Sequence, residues 1–564
     1  MKQKTLLGNL FDDARNLYFH RVCSFLKVVI TTNGTPLRHD VIFNRVCGEE
    51  SEQRSSVLVV PCLYFLLSIM FTESVSSISP ISLSLAVVGI LIAIAYYSLK
   101  DKNLPPGPIG LPYIGYWPFI KNDKSHLQME EMKKKYGDVF SFTSTGRLYL
   151  HLGSLKSLRE AHINKADCFE GRCTDFGVLS RFFEEGVGVV NGEPWKELRK
   201  FFLQNLKERG IISVKHSLSG SMYDAIKSAV DFIRDKKEEP INILELVNNK
   251  CTTILTKMFF GDNGVTEEQI REFIGLYYTV MMCMVPTNLI LSGNFARYAI
   301  FPFLKVFKDA TACDKKIEKM LYGIIDEHKS TYDEEHIRDI IDDYIKERDL
   351  RRSKGDPTAK HFTDKALMAS LKEFVGDGII AVSSFVSIII KILVEHPEEQ
   401  KKVYQEIIEI VGVDRQPTVE DKSKLTYTNA FILEASRTSD FFPFVPCLEC
   451  TKETTLRGFR IPKGTITLMN LYSSHYDSEI YEDPHKFDPS RFISKDGKRR
   501  SELPILFGVG RRSCMGEGFA MMEVFLFLTT IVKNFQLSFA DGVKKATNDD
   551  LFTGKLRIVA HPRN

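Results

Sequence analysis

Ten residues near the C-terminal end, Phe507 to Gly516 (FGVGRRSCMG), constrain this 564-residue chain more than any other stretch. Cys514 stands just ahead of the run MGEGFAMMEVFLFLTTIV, whose spacing predicts a helix with a broad apolar face. A free thiol is mostly protonated at neutral pH and its anion is costly to bury, so a working thiolate needs nearby donors. Gly510 and Gly516 are expected to open backbone turns closed to residues with side chains, bringing amide N–H groups toward the sulfur. The helix start beyond Cys514 is expected to lower the thiol pKa through its dipole, with Phe507 shielding the sulfur from water. A lone cysteine is normally a small buried hydrophobe. Here F-x-x-G-x-R-x-C-x-G fixes five positions within ten, and a chance match in a chain this long is roughly 10⁻⁴ at average residue usage. Cys514 is therefore read as a metal ligand.

Other segments carry charge at helical spacing. Glu434 and Arg437 form E-x-x-R in NAFILEASR, one turn apart on one face, and Trp195 and Arg199 form W-x-x-x-R in EPWKELRKFFL. Arg491 lies in FDPSRF and Arg172 in CFEGRC, while LPPGPIGLPYIG, with Pro105, Pro106, Gly107 and Pro108, is a stiff extended hinge. Singly, each arginine is more often a solvated surface residue. Together, in this order from about Leu104 to the C-terminus, the segments resemble cytochrome P-450, the haem-thiolate monooxygenase superfamily, and its animal microsomal clan of xenobiotic and steroid hydroxylases. The resemblance implies haem b with the Cys514 thiolate on iron and the propionates held by Arg172, Trp195, Arg199 and Arg512. It also implies that Glu434, Arg437 and Arg491 form a structural ion network.

The resemblance fails at one place. Counting back from HPEEQKKVYQEI, where His396 and Pro397 end a long apolar helix, aligns EFVGDGIIAVSS with the family's oxygen-binding segment A/G-G-x-D/E-T-T/S. Asp377 takes the first small position and Gly378 the glycine expected to leave room for O₂, but Ile380 and Ala381 replace the acid and the threonine. Proton delivery by a positioned group is typically worth about 10²–10⁴ in rate. Three routes stay open: a substrate hydroxyl or water delivers the proton; the protein is an oxygen-independent isomerase or dehydratase; or it is a catalytically weak haem-binding protein. A second departure is FFPFVPCLEC, one residue short, with Cys447 where microsomal relatives carry a histidine or arginine. Cys447 and Cys450 form a C-x-x-C with no zinc-spaced partner, read as coincidence.

The formal net charge of +3 argues against a dedicated nucleic-acid binder, and eleven irregularly spaced cysteines suit a reducing compartment. Residues 81–99, ISLSLAVVGILIAIAYYSL, followed by Lys100 and Lys102, are expected to be a transmembrane anchor. Residues 57–71 are marginal for spanning. If both segments cross, the two ends are cytosolic; if only the second does, residues 1–56, read as a disordered extension or an assembly artefact, face the lumen. KYGDVFSFTSTGRLYLHLGS reads as two strands, and TTLRGFRIPKGTITLMNLY as a hairpin turning at Pro462-Lys463-Gly464. Amphipathic segments fill the rest, so residues 104–564 are expected to be mainly α with a small β-rich lobe.

The apolar stretch from Tyr277 to Phe307 reads as core, or as a substrate entrance dipping into the membrane. Ile379, Ile380, Phe444 and Val445 are expected in the pocket wall. The resemblance implies an endoplasmic-reticulum membrane enzyme with its catalytic domain on the cytosolic side, acting on an apolar small molecule. No flavin or dinucleotide motif is present, so electrons are expected from an NADPH-dependent flavoprotein reductase docking near Lys200 and Arg511, with cytochrome b5 as a further donor.

Overall fold

The computed structural model describes residues 84–85, 88–91, 101, 103–122, 124–208, 218–261, 264–493 and 502–563. The segments 1–56 and 57–71 lie outside the described residues, as does most of 81–99. The chain divides into two units, Met1–Leu104 and Pro105–Asn564.

In the second unit the longer elements run in the order α1 (Ser125–Tyr136), β1 (Val139–Ser144), β2 (Arg147–Leu152), β3 (Gly171–Arg172), α2 (Gly192–Glu208), α3 (Leu218–Asp235), α4 (Ile243–Phe260) and α5 (Glu267–Met281). There follow α6 (Lys305–Ser330), α7 (Ile340–Ser353), α8 (Asp364–Glu395), α9 (Pro397–Val411), α10 (Thr426–Arg437) and β4 (Phe444–Glu449). The last are β5 (Thr454–Leu456), β6 (Phe459–Ile461), β7 (Ile466–Asn470), α11 (Glu517–Asn534), β8 (Phe535–Phe539) and β9 (Ile558–Pro562). The unit is thus mainly helical with a small β lobe, as the amphipathic pattern predicts.

Helix α8 organises the core. Thr363 caps it by accepting the Ala366 amide at 3.0 Å. Its second half, VSSFVSIIIKILV, is apolar around almost its whole circumference and is buried accordingly. It stops at His396 because Pro397 disfavours helical geometry in the residue before it and starts α9. Among the described residues α8 is the one helix long and apolar enough to cross a membrane, and 78% of its most apolar window is buried inside the protein. It is the central helix of the core.

The β lobe is a five-stranded sheet in the order β1-β2-β7-β4-β3, with β2 and β7 parallel and the other pairs antiparallel. The first expected strand pair forms as read, turning at Thr145 and Gly146, both at positive φ (47° and 81°), which suits strand twist. The second expectation needs correction. β5 pairs with β6 through Arg457-Gly458, at φ 51° and 82°, whereas β7, beyond Pro462-Lys463-Gly464, joins the larger sheet between β2 and β4. The strand run ITLMN is buried at every position, so it needs partners on both edges rather than a place in a two-stranded hairpin.

Candidate functional site

The loop before α11 folds back on itself: the Cys514 amide donates to Phe507 O at 2.9 Å and the Ser513 amide to Gly510 O at 3.1 Å. Gly510 has φ +85°, and a Cβ there would lie 2.1 Å from the His162 carbonyl oxygen, so no other residue fits. Gly508, at φ +77°, is a second obligatory turn that the motif reading passed over. Gly516 differs from its expectation. Its φ is −87° and it is the N-cap of α11; a Cβ there would stand 3.8 Å from Cys514 Sγ, an ordinary contact, so neither backbone nor space demands a glycine. Phe507 packs edge-on against Phe385 of α8, ring centroids 6.2 Å apart.

The expectation of a lowered thiol pKa is also corrected. Burial raises the Cys514 thiol, and the charges of Glu517 and Asp377 add to this. The Gly516 amide and Arg199 pull the other way without reversing it. The cysteine is nonetheless exposed, although enough protein surrounds it for burial to dominate its pKa. It is enclosed by the fold yet reachable, which is the arrangement a buried metal ligand requires.

Beside the loop, cations converge. Arg512 donates from Nε to Glu170 O at 2.8 Å, and from Nη2 to Val190 O at 2.7 Å and Asn191 Oδ1 at 2.9 Å, while Nη1 is buried without a hydrogen-bond partner. Its guanidinium lies over the Trp195 ring at 3.9 Å from the centroid, and Arg199 lies 6.0 Å from the same ring. Arg199 Nη2 donates to Ser513 O at 2.8 Å, and Arg172 Nε donates to Gly188 O at 2.9 Å. Burial, together with the charges of Arg172 and Arg199, pushes the Arg512 pKa down to about 9. Three mutually repelling guanidiniums, one with a buried donor unused, fit a dianionic ligand such as the two propionates of haem. Asn191 was missed by motif reading; it binds the Arg172 amide and carbonyl at 2.7 and 2.8 Å as well as Arg512, joining the two segments.

The opposite wall is α8. Ile380 and Ala381 are half-buried, whereas Ile379 is fully buried in the helical core and is not pocket wall. Gly378 is corrected too: a Cβ there would meet Leu255 Cδ1 of α4 at 3.1 Å, so its smallness serves helix packing rather than the open side. Asp377 is on the open side, near enough to raise the Cys514 thiol by its charge. Its Oδ1 accepts the Tyr277 hydroxyl at 2.5 Å, across from α5. Gly376 makes this possible, since a Cβ there would lie 2.3 Å from the Tyr277 ring. Although its carboxyl faces open space, protein surrounds it, and that burial pushes its pKa up to about 6.

One turn earlier, the Glu373 carboxylate accepts the Gly188 amide at 2.9 Å, and burial pushes its pKa up to about 8. Ser383 turns its hydroxyl to Ile379 O at 2.6 Å and accepts from Asn248 at 3.2 Å. No hydroxyl on α8 replaces the missing threonine among the described residues. Phe444 packs against the β-lobe core, and the side chains of Val445 and Cys447 lie outside the described residues.

Glu434, Arg437 and Arg491 form a closed network away from the open side. Arg437 donates to both Glu434 oxygens at 2.8 Å, and Arg491 Nε to Glu434 Oε1 at 3.1 Å. All three side chains are buried, and Arg437 also holds the carbonyls of His475 and Pro484. A second buried group, His328, Asp339 and Asp342, is closed on itself: His328 pairs with Asp339 at 2.8 Å and Asp342 with Arg338 at 2.7 Å.

The comparisons agree with this geometry. A family model described as Cytochrome P450 matches residues 105–563. The chain is 31% identical over 465 residues to Cytochrome P450 1A1 of Macaca mulatta, covering 79% of this chain and 88% of that one. It is 30% identical over 468 residues to Cytochrome P450 2B2 of Rattus norvegicus (81% and 92%), and 28% over 506 residues to Cytochrome P450 2J1 of Oryctolagus cuniculus (86% and 97%).

Proposed function

The chain belongs to the cytochrome P450 family, and from that premise we propose that it is a membrane-anchored monooxygenase hydroxylating an apolar small molecule, such as a steroid, a fatty acid or a foreign compound. Enzymes of this family carry haem on a cysteine thiolate and incorporate one atom of molecular oxygen into their substrate. The observation that carries the reading is the exposed Cys514, whose loop packs on α8 through Phe507 and Phe385, with Arg172, Arg199 and Arg512 gathered beside it.

In this reading Cys514 supplies the iron ligand, and Arg512, steadied on Trp195, directs its unused Nη1 at a propionate. Ile380 and Ala381 offer the substrate an apolar surface and no proton donor. The proton then comes from a substrate hydroxyl or a water held near Asp377, the nearest acid on that helix. Exposed Lys200 and Arg511 are candidates for contact with the flavoprotein reductase, with cytochrome b5 as a further donor; Arg511 is tethered to Glu170 at 2.8 Å.

The anchor and the endoplasmic-reticulum location rest on two apolar surfaces. In the first unit Leu85, Val88 and Leu91 are more than half exposed, a three-residue spacing that suits a lipid-facing helix side. In the second unit, between α5 and α6, Tyr298 and Phe303 are exposed, while Cys283, Leu291 and Phe301 are buried. Tyr113, just beyond the proline hinge and half exposed, contacts Phe295 at 5.5 Å. That segment therefore serves both readings made from its composition: one side is core and the other suits a membrane-facing entrance.

The test is the spectrum of the reduced carbon-monoxide complex, followed by turnover with NADPH and reductase. A thiolate-shifted Soret band with hydroxylated product formed per NADPH supports the proposal. NADPH consumption yielding only peroxide counts against it. Arg512→Ala is expected to weaken haem retention by at least about tenfold, since one charge-assisted hydrogen bond is worth roughly 1.5–3 kcal/mol. The ratio of Soret to protein absorbance during gel filtration measures this. Ala381→Thr is expected to raise product per NADPH several-fold, because a positioned hydroxyl shortens the proton route. An unchanged ratio would mean that a different donor already suffices.

A further inference from the structure

We propose that Asp377 is a specificity-determining residue, selecting apolar substrates that carry a positively charged nitrogen. The proposal rests on the monooxygenase reading above and gives its substrate class.

Asp377 occupies the position where the family pattern has alanine or glycine, so a carboxylate replaces a small neutral wall residue. It is exposed although it lies in the middle of the core helix α8, and it sits one turn before Ala381 on the same face. Only one of its oxygens is engaged: Oδ1 accepts from Tyr277, whereas Oδ2 has no hydrogen bond to another described residue. Nearby cations are committed elsewhere. Lys372 pairs with Asp314 at 2.6 Å, and Arg172 acts on Glu373 rather than on Asp377.

The carboxylate is also fixed in place. The Tyr277 ring stacks on Phe273 at 5.7 Å, meets Phe183 edge-on at 6.4 Å and fits over Gly376, so its hydroxyl can hold Oδ1 without side-chain rearrangement. A preorganised acid, enclosed by protein and without a counter-charge, gains more from a ligand cation than from a neutral hydroxyl. Opposite charges attract strongly where water is scarce, and an unpaired charge there is costly. The half-buried Ile380 and Ala381 beside it provide apolar surface for the rest of such a molecule. Selection by charge therefore acts at the reacting end of the pocket, orienting the nitrogen toward α8.

The test uses the full-length holoenzyme and a matched pair of probes: 4-phenylbutyltrimethylammonium and its carbon isostere, in which a tert-butyl group replaces the trimethylammonium. The quaternary nitrogen has no lone pair and cannot ligate iron, so charge alone distinguishes the probes. Equilibrium dialysis gives both dissociation constants. The cation is expected to bind at least about tenfold tighter than the isostere, at the lower end of what a close, desolvated charge pair contributes. In Asp377→Asn the preference is expected to fall to about unity, and in Tyr277→Phe, which retains the carboxylate, to persist.

Equal affinity for the two probes in the wild-type protein would overturn the proposal, as would a preference that survives Asp377→Asn. A primary alcohol analogue binding as tightly as the cation would also overturn it. The carbon-monoxide spectrum separates this failure from the broader one. A thiolate-shifted band with isostere binding and no cation preference refutes only the role of Asp377, whereas absence of the band refutes the haem-thiolate reading.

Discussion

Replacing Cys514 with alanine is expected to abolish the thiolate-shifted Soret band of the reduced carbon-monoxide complex and to reduce product formation to background. The loop itself should survive, because its closure uses backbone groups: Cys514 N–H to Phe507 O at 2.9 Å and Ser513 N–H to Gly510 O at 3.1 Å. The loss would therefore report the sulfur and not the fold. Cys450→Ala is the control. That cysteine is fully buried in the β-lobe core, with its thiol donating to Lys452 O at 2.9 Å. Its removal should cost stability of the size usual for a small core truncation while leaving the spectrum unchanged. A Cys514→Ala protein retaining the shifted band would require another thiolate and would refute the assignment of the iron ligand.

Arg437→Ala is expected to destabilise the protein by about 3–5 kcal/mol, the usual consequence of removing one partner from a buried ion pair. Both Arg437 and Glu434 are 0% exposed, and Glu434 also accepts from Arg491 at 3.1 Å and from the Asp488 amide at 2.9 Å. Deleting Arg437 leaves Glu434 with less compensation and frees the carbonyls of His475 and Pro484, which lie on the way to the cysteine loop. Urea unfolding monitored by circular dichroism, with haem loss followed in parallel, measures the effect. Arg437→Lys should recover little, since an ammonium cannot reproduce the two-pronged contact with Glu434. The Glu434→Ala, Arg437→Ala double variant should lose less than the sum of the singles, because the first deletion already strands the second residue. Strict additivity would mean that the network does not act as a unit.

The cysteine loop was legible because its chemistry is local. Turn geometry at Gly510 depends on the backbone at that residue, and the cap of α11 depends on the residue that starts it. The propionate-side arginines were legible singly, as charges at helical spacing in α2 and in the loop. Their joint effect was not. Arg172 and Arg199 act on Arg512 only after α2, β3 and the loop converge, and Asn191 acquires its role only because it touches two of those segments. Pairing of β7 was misread for a similar reason. Short-range turn chemistry at Pro462-Lys463-Gly464 competes with a long-range sheet position between β2 and β4, and only the latter covers both edges of a wholly buried strand.

The thiol pKa illustrates the same division. A glycine-rich helix start favours a thiolate, but the magnitude of burial is a property of the whole fold, and at Cys514 burial outweighs the amide and Arg199. On α8, register along the chain located Asp377, Ile380 and Ala381, since a helix preserves spacing. It did not reveal which way each faces: Gly378 packs against α4, Ile379 enters the core, and Asp377 looks into the interior with Tyr277 upon it. By itself, then, the sequence determined the cysteine proposed as iron ligand, the long central helix and the absence of the acid–threonine pair, all of which depend on residue type and local spacing. Tertiary structure alone decided the cation cluster, the buried ion network's reach and the exposed carboxyl on the reacting side, because these arise from elements distant in sequence meeting where water is excluded.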